Sequence, residues 1–226
     1  MQIPQATPLI PSRRPLTESE RRAVRVKIKS LSATGRRASK SYLPITAVGI
    51  FFLWLLTLLA SDAPWAIVTV FWLVVGGGIA LWVRREMRQD AEQFSNISQG
   101  LESALRRNEA DVYDIRATAF IEFQEIEDEG ACYAFEMDGG RVVFISGQEF
   151  YPAARFPSLD FSLVYVLDEQ GQAVDMLIDK RGDKASPART VLATVKQKLE
   201  LPDQLEVVRS SMKDLENRID SASPAN

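Results

Sequence analysis

Hydrophobic positions change their spacing several times along this chain, and each change marks an element. Two unbroken apolar runs, Tyr42–Ala60 and Trp65–Val83, contain no charged side chain and are separated by Ser61-Asp62-Ala63-Pro64. At 1.5 Å per residue each run makes a helix of about 28 Å, close to the hydrocarbon thickness of a bilayer. So short a connection allows only antiparallel neighbours, and Pro64 suits the first turn of the second helix. From Arg84 to Glu109 the spacing widens to three or four, with Met87, Ala91, Phe94, Ile97, Leu101 and Leu105 on one stripe of a linker helix.

After that the period becomes two. Ile115, Ala117, Ala119, Ile121 and Phe123 alternate with polar residues and predict a half-buried strand, with Phe120 as an exception on the polar face. Further strands are expected at Tyr133–Met137, Arg141–Ser146, Phe161–Leu167 and Ala173–Asp179. Glu127–Gly130, Asp138-Gly139-Gly140 and Asp168–Gly171 supply turns between them. Ser186–Leu199 reads as a helix, Leu205–Arg209 as a last strand, and Ser211–Asp214 as a capping box for a helix over Met212–Ile219.

The N-terminal residues show no period. Residues 1–16 are rich in proline and polar groups, which predicts disorder. Thr17 and Glu20 have capping-box spacing, and a short helix to Leu31 would align Val24, Ile28 and Leu31. Arg21, Arg22, Arg25 and Lys29 would then be lipid-facing basic groups of an interfacial helix. The alternative is an unstructured charge cluster that sets topology.

The fold class expected is an α+β membrane protein. It has a two-helix transmembrane hairpin, a linker helix, and a small, mainly antiparallel β-sheet or open-barrel domain with C-terminal helices. The expected divisions are a basic, largely disordered cytoplasmic tail (1–41), the hairpin (42–83), the linker helix (84–110), a cytoplasmic β-rich domain (111–220) and a frayed C-terminus (221–226).

Charge adds direction to this picture. Residues 1–41 hold ten Lys/Arg against two Glu, whereas residues 84–226 hold 17 Lys/Arg against 27 Asp/Glu. The far side of the hairpin carries only Asp62, so the positive-inside rule predicts a multi-pass cell-membrane protein, of a bacterial inner membrane, with both termini cytoplasmic. Gly49 falls at the depth of Gly76, Gly77 and Gly78, and small residues at one depth let membrane helices approach closely. No ionisable group lies within either run, which argues against an ion path through the pair.

Composition removes whole classes of chemistry. The chain has no histidine and one cysteine, Cys132, so no histidine-based nucleophile pair, intramolecular disulfide or multi-cysteine zinc site exists. Cys132 reads as a buried small hydrophobe. The acidic run Glu122, Glu125, Glu127, Asp128, Glu129 matches no calcium-loop spacing and reads as a solvated turn. No cofactor or metal is expected. Gln148, Glu149, Phe150 and Tyr151 end a buried-looking strand with polar and aromatic groups, a possible interaction edge beside the alternative of a corner turn. These residues predict a non-enzymatic membrane protein whose acidic domain meets a protein partner or a second copy, with the lipid bilayer as its other partner and no nucleic acid. The competing expectations are an accessory subunit acting through the hairpin, and an enzyme built on Glu122, Glu149 and Asp160.

Overall fold

The computed structural model of the 226-residue chain describes residues 6–60 and 64–222. The connecting Ser61, Asp62 and Ala63, and residues 223–226 of the expected frayed end, lie outside them. In chain order the elements are β1 (Thr7–Pro8), β2 (Ser12–Pro15), α1 (Glu18–Ala60), α2 (Trp65–Arg107), β3 (Glu109–Phe123), β4 (Ala131–Met137) and β5 (Arg141–Gly147). After a 3-10 turn at Gln148–Phe150 come β6 (Asp160–Leu167), β7 (Ala173–Lys180), β8 (Arg189–Val191), α3 (Ala193–Lys196), β9 (Glu206–Arg209) and α4 (Met212–Ala222). The fold is mixed α+β, with helices and an antiparallel half-barrel sheet.

The chain forms two compact units. One comprises β1, β2, Ala110–Val166 and the chain from Asp175 onward; the other comprises Leu16–Glu109 and Leu167–Val174. In the first unit the strand order is β1-β9-β5-β4-β3-β6-β7, and β2 and β8 also pair with β3. β4 and β5 form a regular antiparallel ladder from Met137↔Arg141 to Ala131↔Gly147, closed by Gly139 and Gly140, both at positive φ.

The sheet buries both faces. On one, Phe120, Tyr133, Phe135, Phe150, Phe156 and Phe161 build an aromatic core with Ile115, Ile145 and Leu163. The Phe120 and Phe135 rings stack with centroids 5.2 Å apart. On the other face, Ile121, Phe123, Phe144 and Val208 pack with Val195 of α3 and with Met212, Leu215 and Ile219 of α4. Alternation along β4 divides its residues cleanly, with Tyr133, Phe135 and Met137 on the aromatic side and Cys132 and Ala134 on the helical side.

Phe120 is no exception to the pattern; the pattern itself shifts. The β3–β4 register moves between Ala117 and Ala119, making Thr118 a bulge. Ile115 and Ala117 face the aromatic core before it, and Phe120 does so after it, while Ile121 and Phe123 turn to the helical side. A single inserted residue therefore lets one strand serve both cores.

Three expectations need correction. Residues 6–16 are not free of structure, because β1 pairs with Val207 and Glu206 of β9 and β2 pairs with β3. Leu9 packs against the aromatic core, and its N–H donates to the Leu205 carbonyl at 2.8 Å. Ser186–Leu199 is not a helix. Arg189–Val191 forms β8, parallel to Ile121–Phe123, and only Ala193–Lys196 turns helical. The helix after the capping box does not stop at Leu31, because α1 continues through Pro44 to Ala60.

The capping boxes form as spelled. The Glu20 N–H donates to Thr17 Oγ1 at 3.3 Å, and the Thr17 N–H donates to Glu20 Oε2 at 2.7 Å. At α4 the Asp214 N–H donates to Ser211 Oγ and the Ser211 N–H to Asp214 Oδ2, each at 3.2 Å. Glu136 of β4 adds a third contact there, its carboxylate accepting the Met212 N–H at 2.9 Å. α2 ends at Asn108, in the left-handed region at φ 60°, and β3 begins at the next residue.

Candidate functional site

The helical unit is held by a reciprocal pair of bonds. The Trp54 indole N–H donates to Thr69 Oγ1 at 3.3 Å, and the Trp72 indole N–H donates to Thr57 Oγ1 at 3.1 Å. Each threonine hydroxyl also donates at 2.8 Å to the carbonyl four residues back, Leu53 for Thr57 and Trp65 for Thr69. Each helix thus gives one indole and one hydroxyl, three residues apart. In apolar surroundings such bonds are worth about 0.6–2 kcal/mol each. The set is legible in the sequence as Trp-x-x-Thr on one run and Thr-x-x-Trp on the other at matching depth.

The glycines behave unequally. A Cβ added at Gly76 would lie 2.8 Å from Ile50 Cγ2, so α1 and α2 do approach closely there. Gly49, Gly77 and Gly78 have no atom within 4 Å of such a Cβ. Away from this contact the apolar surface is bare: Leu59 is 78% exposed, Val74 71% and Leu73 70%. Among the described residues one helix, Trp65–Arg107, is long and apolar enough to cross a membrane, and Pro44–Ala60 is a shorter apolar helical stretch.

Beyond the apolar runs the same unit has a packed end. Val24 of α1 and Leu101 and Ala104 of α2 are fully buried. Of the expected stripe Val24 is covered by protein, and Ile28 and Leu31 are half-buried; Arg22, Arg25 and Lys29 are exposed and Arg21 pairs with Glu18 at 3.0 Å. Of the linker stripe, Leu101 is fully covered and Ile97 remains 48% exposed. At the end of α2, Arg107 donates to the carbonyls of Asp168 and Glu169 at 3.1 and 2.8 Å, and Arg106 pairs with Glu169 at 3.0 Å. Asp168 Oδ1 accepts the N–H of Gln170 and of Gln172, which closes that turn.

In the sheet unit the Gln148–Tyr151 segment is a corner. Phe150 is fully buried in the aromatic core, and its carbonyl accepts the Tyr133 hydroxyl at 3.3 Å, so Phe150 presents no surface. Gln148, Glu149 and Tyr151 are exposed. Gln148 donates to the Asp128 carbonyl at 3.0 Å, and the Tyr151 hydroxyl donates to Glu125 Oε1 at 2.5 Å, which raises the phenol pKa.

The acidic run folds into the adjoining turn. Glu127 and Asp128 sit at φ 45° and 59°, and Glu125 Oε1 also accepts the Gly130 N–H at 3.0 Å. Glu129 pairs with Lys196, whose side chain is 8% exposed. The Glu125 and Glu129 carboxylates thus hold the turn and its neighbours. Among the described residues no group of three or more His, Cys, Asp or Glu could hold a metal. Glu122 lies on β3, Glu149 in the 3-10 turn and Asp160 at the start of β6, where Arg181 Nε holds its carboxylate at 2.8 Å. Cys132 is buried, and burial pushes its thiol up to about 11, far from a reactive thiolate.

Comparison with known protein families, curated proteins and solved structures found no match to this chain.

Proposed function

We propose that this is a non-enzymatic membrane protein. α1 and α2 anchor it as a transmembrane hairpin, and the sheet unit is a small acidic module, presented at the cytoplasmic face for a protein partner or for regulation of a membrane complex. The observation that carries the reading is the bare apolar surface along 44–60 and 65–83. Contiguous apolar exposure on this scale is not sustained in water and marks a membrane or protein contact. The strands add support from a second direction. β2 precedes α1, β3 follows α2, and the two pair in one sheet, which favours a topology with both flanks of the hairpin on one side of the bilayer. The Lys/Arg excess of residues 1–41 then favours the cytoplasmic side.

The exposed side chains of Gln148, Glu149 and Tyr151 are the proposed contact with a partner. Alkaline carbonate treatment of membranes containing the full chain tests the anchor: retention in the pellet is expected, and release into the supernatant would sink it. Crosslinking at Tyr151 in those membranes should recover a second polypeptide; recovery of unlinked chain alone would remove the interaction reading.

A second reading is favoured by Gly49, Gly77 and Gly78, which have nothing packed on them. There the hairpin itself is the contact, and the protein is an accessory subunit of a transporter or membrane-enzyme assembly. Gly49→Leu and Gly78→Leu should then abolish assembly and leave the sheet unit folded.

A further inference from the structure

The helical pair carries an apolar groove of about 540 Å³ on its flank, a volume usual for small-molecule sites. Ile50, Trp54, Leu73, Gly76, Gly77 and Ala80 are among the residues that line it. Its lining on α2 runs from Thr69 to Val83, about 21 Å along the helix, longer than the ~15 Å depth of one leaflet's hydrocarbon. Both indoles beside it spend their N–H groups on threonines, so the wall offers little but apolar surface.

Directly beyond Val83 the character reverses. Arg84, Arg85 and Arg88, with Leu81, line a second recess of about 420 Å³. All three arginines are exposed, and none makes an ion pair among the described residues. Arg84 follows Ala80 by four residues and Gly77 by seven, so it stands below the groove on the same side of the helix. An apolar channel that ends in three exposed guanidinium groups matches an amphiphile with an anionic head. Guanidinium groups bind phosphate oxygens in bidentate fashion.

We infer that the hairpin binds one anionic glycerophospholipid, with an acyl chain along the groove and its phosphate on Arg84, Arg85 and Arg88. This rests on the membrane reading above and deepens it. The arginines lie on the side of the N-terminal tail, so the lipid belongs to that leaflet, where anionic headgroups also meet the exposed Arg22, Arg25 and Lys29.

The test uses the full chain in a neutral detergent. Retention of phosphatidylglycerol and of phosphatidylcholine with matched acyl chains is read by native mass spectrometry. Phosphatidylglycerol should be retained in preference. Replacing all three arginines by glutamine should weaken that retention by about tenfold or more and leave phosphatidylcholine unchanged. Gly77→Leu, placed where a side chain has room, should fill the groove and lower retention of both lipids. Equal retention of the two lipids, or a triple variant that binds like the parent, would overturn the site. If the chain also stays in the carbonate pellet, the anchor survives that failure; if it is released, both readings fall together. Disulfide-linked dimers of Gly77→Cys in membranes would place a second copy in the groove and likewise overturn the lipid.

Discussion

Gly130 is the residue on which the acidic turn depends. It sits at φ 89°, and a Cβ there would lie 2.3 Å from the Gly147 carbonyl carbon and 2.4 Å from the Gln148 nitrogen. Both obstacles are backbone, so neither can rotate aside. Gly130→Ala combines a left-handed penalty with a collision and should cost on the order of 3 kcal/mol or more, seen as a lowered midpoint in denaturant melts of the sheet unit's near-ultraviolet signal. An undiminished midpoint would mean that the two turns do not touch. Asp114 sets a different dependence. Its Oδ1 accepts the buried Ser162 hydroxyl at 2.6 Å and an Arg181 N–H at 3.0 Å, and these contacts, the serine bond first, hold its pKa below the ordinary value. A depressed carboxylate contributes stability that is complete above its unfolded pKa of about 3.9 and is lost as pH falls through the lower folded value. Asp114→Asn keeps an acceptor for Ser162 but loses the charge. It should cost about 0.5–1 kcal/mol at neutral pH, the pair being half exposed, and should flatten the decline of thermal stability below about pH 4. Asp114→Ala leaves the Ser162 hydroxyl buried without its acceptor and should cost more, about 1–3 kcal/mol. Equal losses in the two variants would show that the hydroxyl finds another partner.

At the scale of elements, legibility followed the locality of the cause. Both capping boxes, the Gly139-Gly140 turn and the β4–β5 hairpin depend on residues close in sequence, and all could be read from spacing. Phe120 could not be placed, because the Thr118 bulge exists only against the register of β4. β8 reads as helix in the sequence because Arg189–Val191 is extended only by its pairing with Ile121–Phe123, far away in sequence. β1 and β2 had no signal at all. Thr7–Pro8 and Ser12–Pro15 lack hydrophobic alternation, and what orders them is the free edge offered by β9 and by the first half of β3. Of the site, Gly76 and the arginines after Val83 were legible as residue types in place, whereas the groove needed two helices to define it. The N-terminal strands have a measurable role. They cover the β9 edge, place Leu9 on the aromatic core and bind Asp111 through Arg13 at 2.8 and 2.9 Å. Deleting residues 6–15 should destabilise the sheet unit by on the order of 2 kcal/mol or more and raise protease cleavage within β9. Arg13→Ala alone should cost under about 1 kcal/mol, as exposed pairs do. If the deletion proved as mild as the point change, the strands would be passengers on the sheet.

At the scale of the whole molecule, the chain leaves its sheet at Pro15, makes two long helices, and rejoins the same sheet at Glu109. Under the proposed anchor this closure would constrain topology independently of charge. In an ordinary two-helix anchor each helix can be retained or lost on its own, and the termini can part company. Here parting them would break the β2–β3 pairing, the Arg13–Asp111 bonds and the Ser12 hydroxyl bond to the Val112 carbonyl. The two flanks should therefore stay together even when the charge signal is weakened. Neutralising Arg21, Arg22, Arg25, Lys27 and Lys29 removes half of the ten basic residues before the first apolar run, and by the positive-inside rule should give a mixture of orientations. In that mixture, compartment-specific reporters at the two termini should report the same side in the same proportion. The unaltered chain should place both in the cytoplasm. A variant with its termini on opposite sides would require the sheet to form without β1 and β2, and would refute the closure from which the proposed topology is argued.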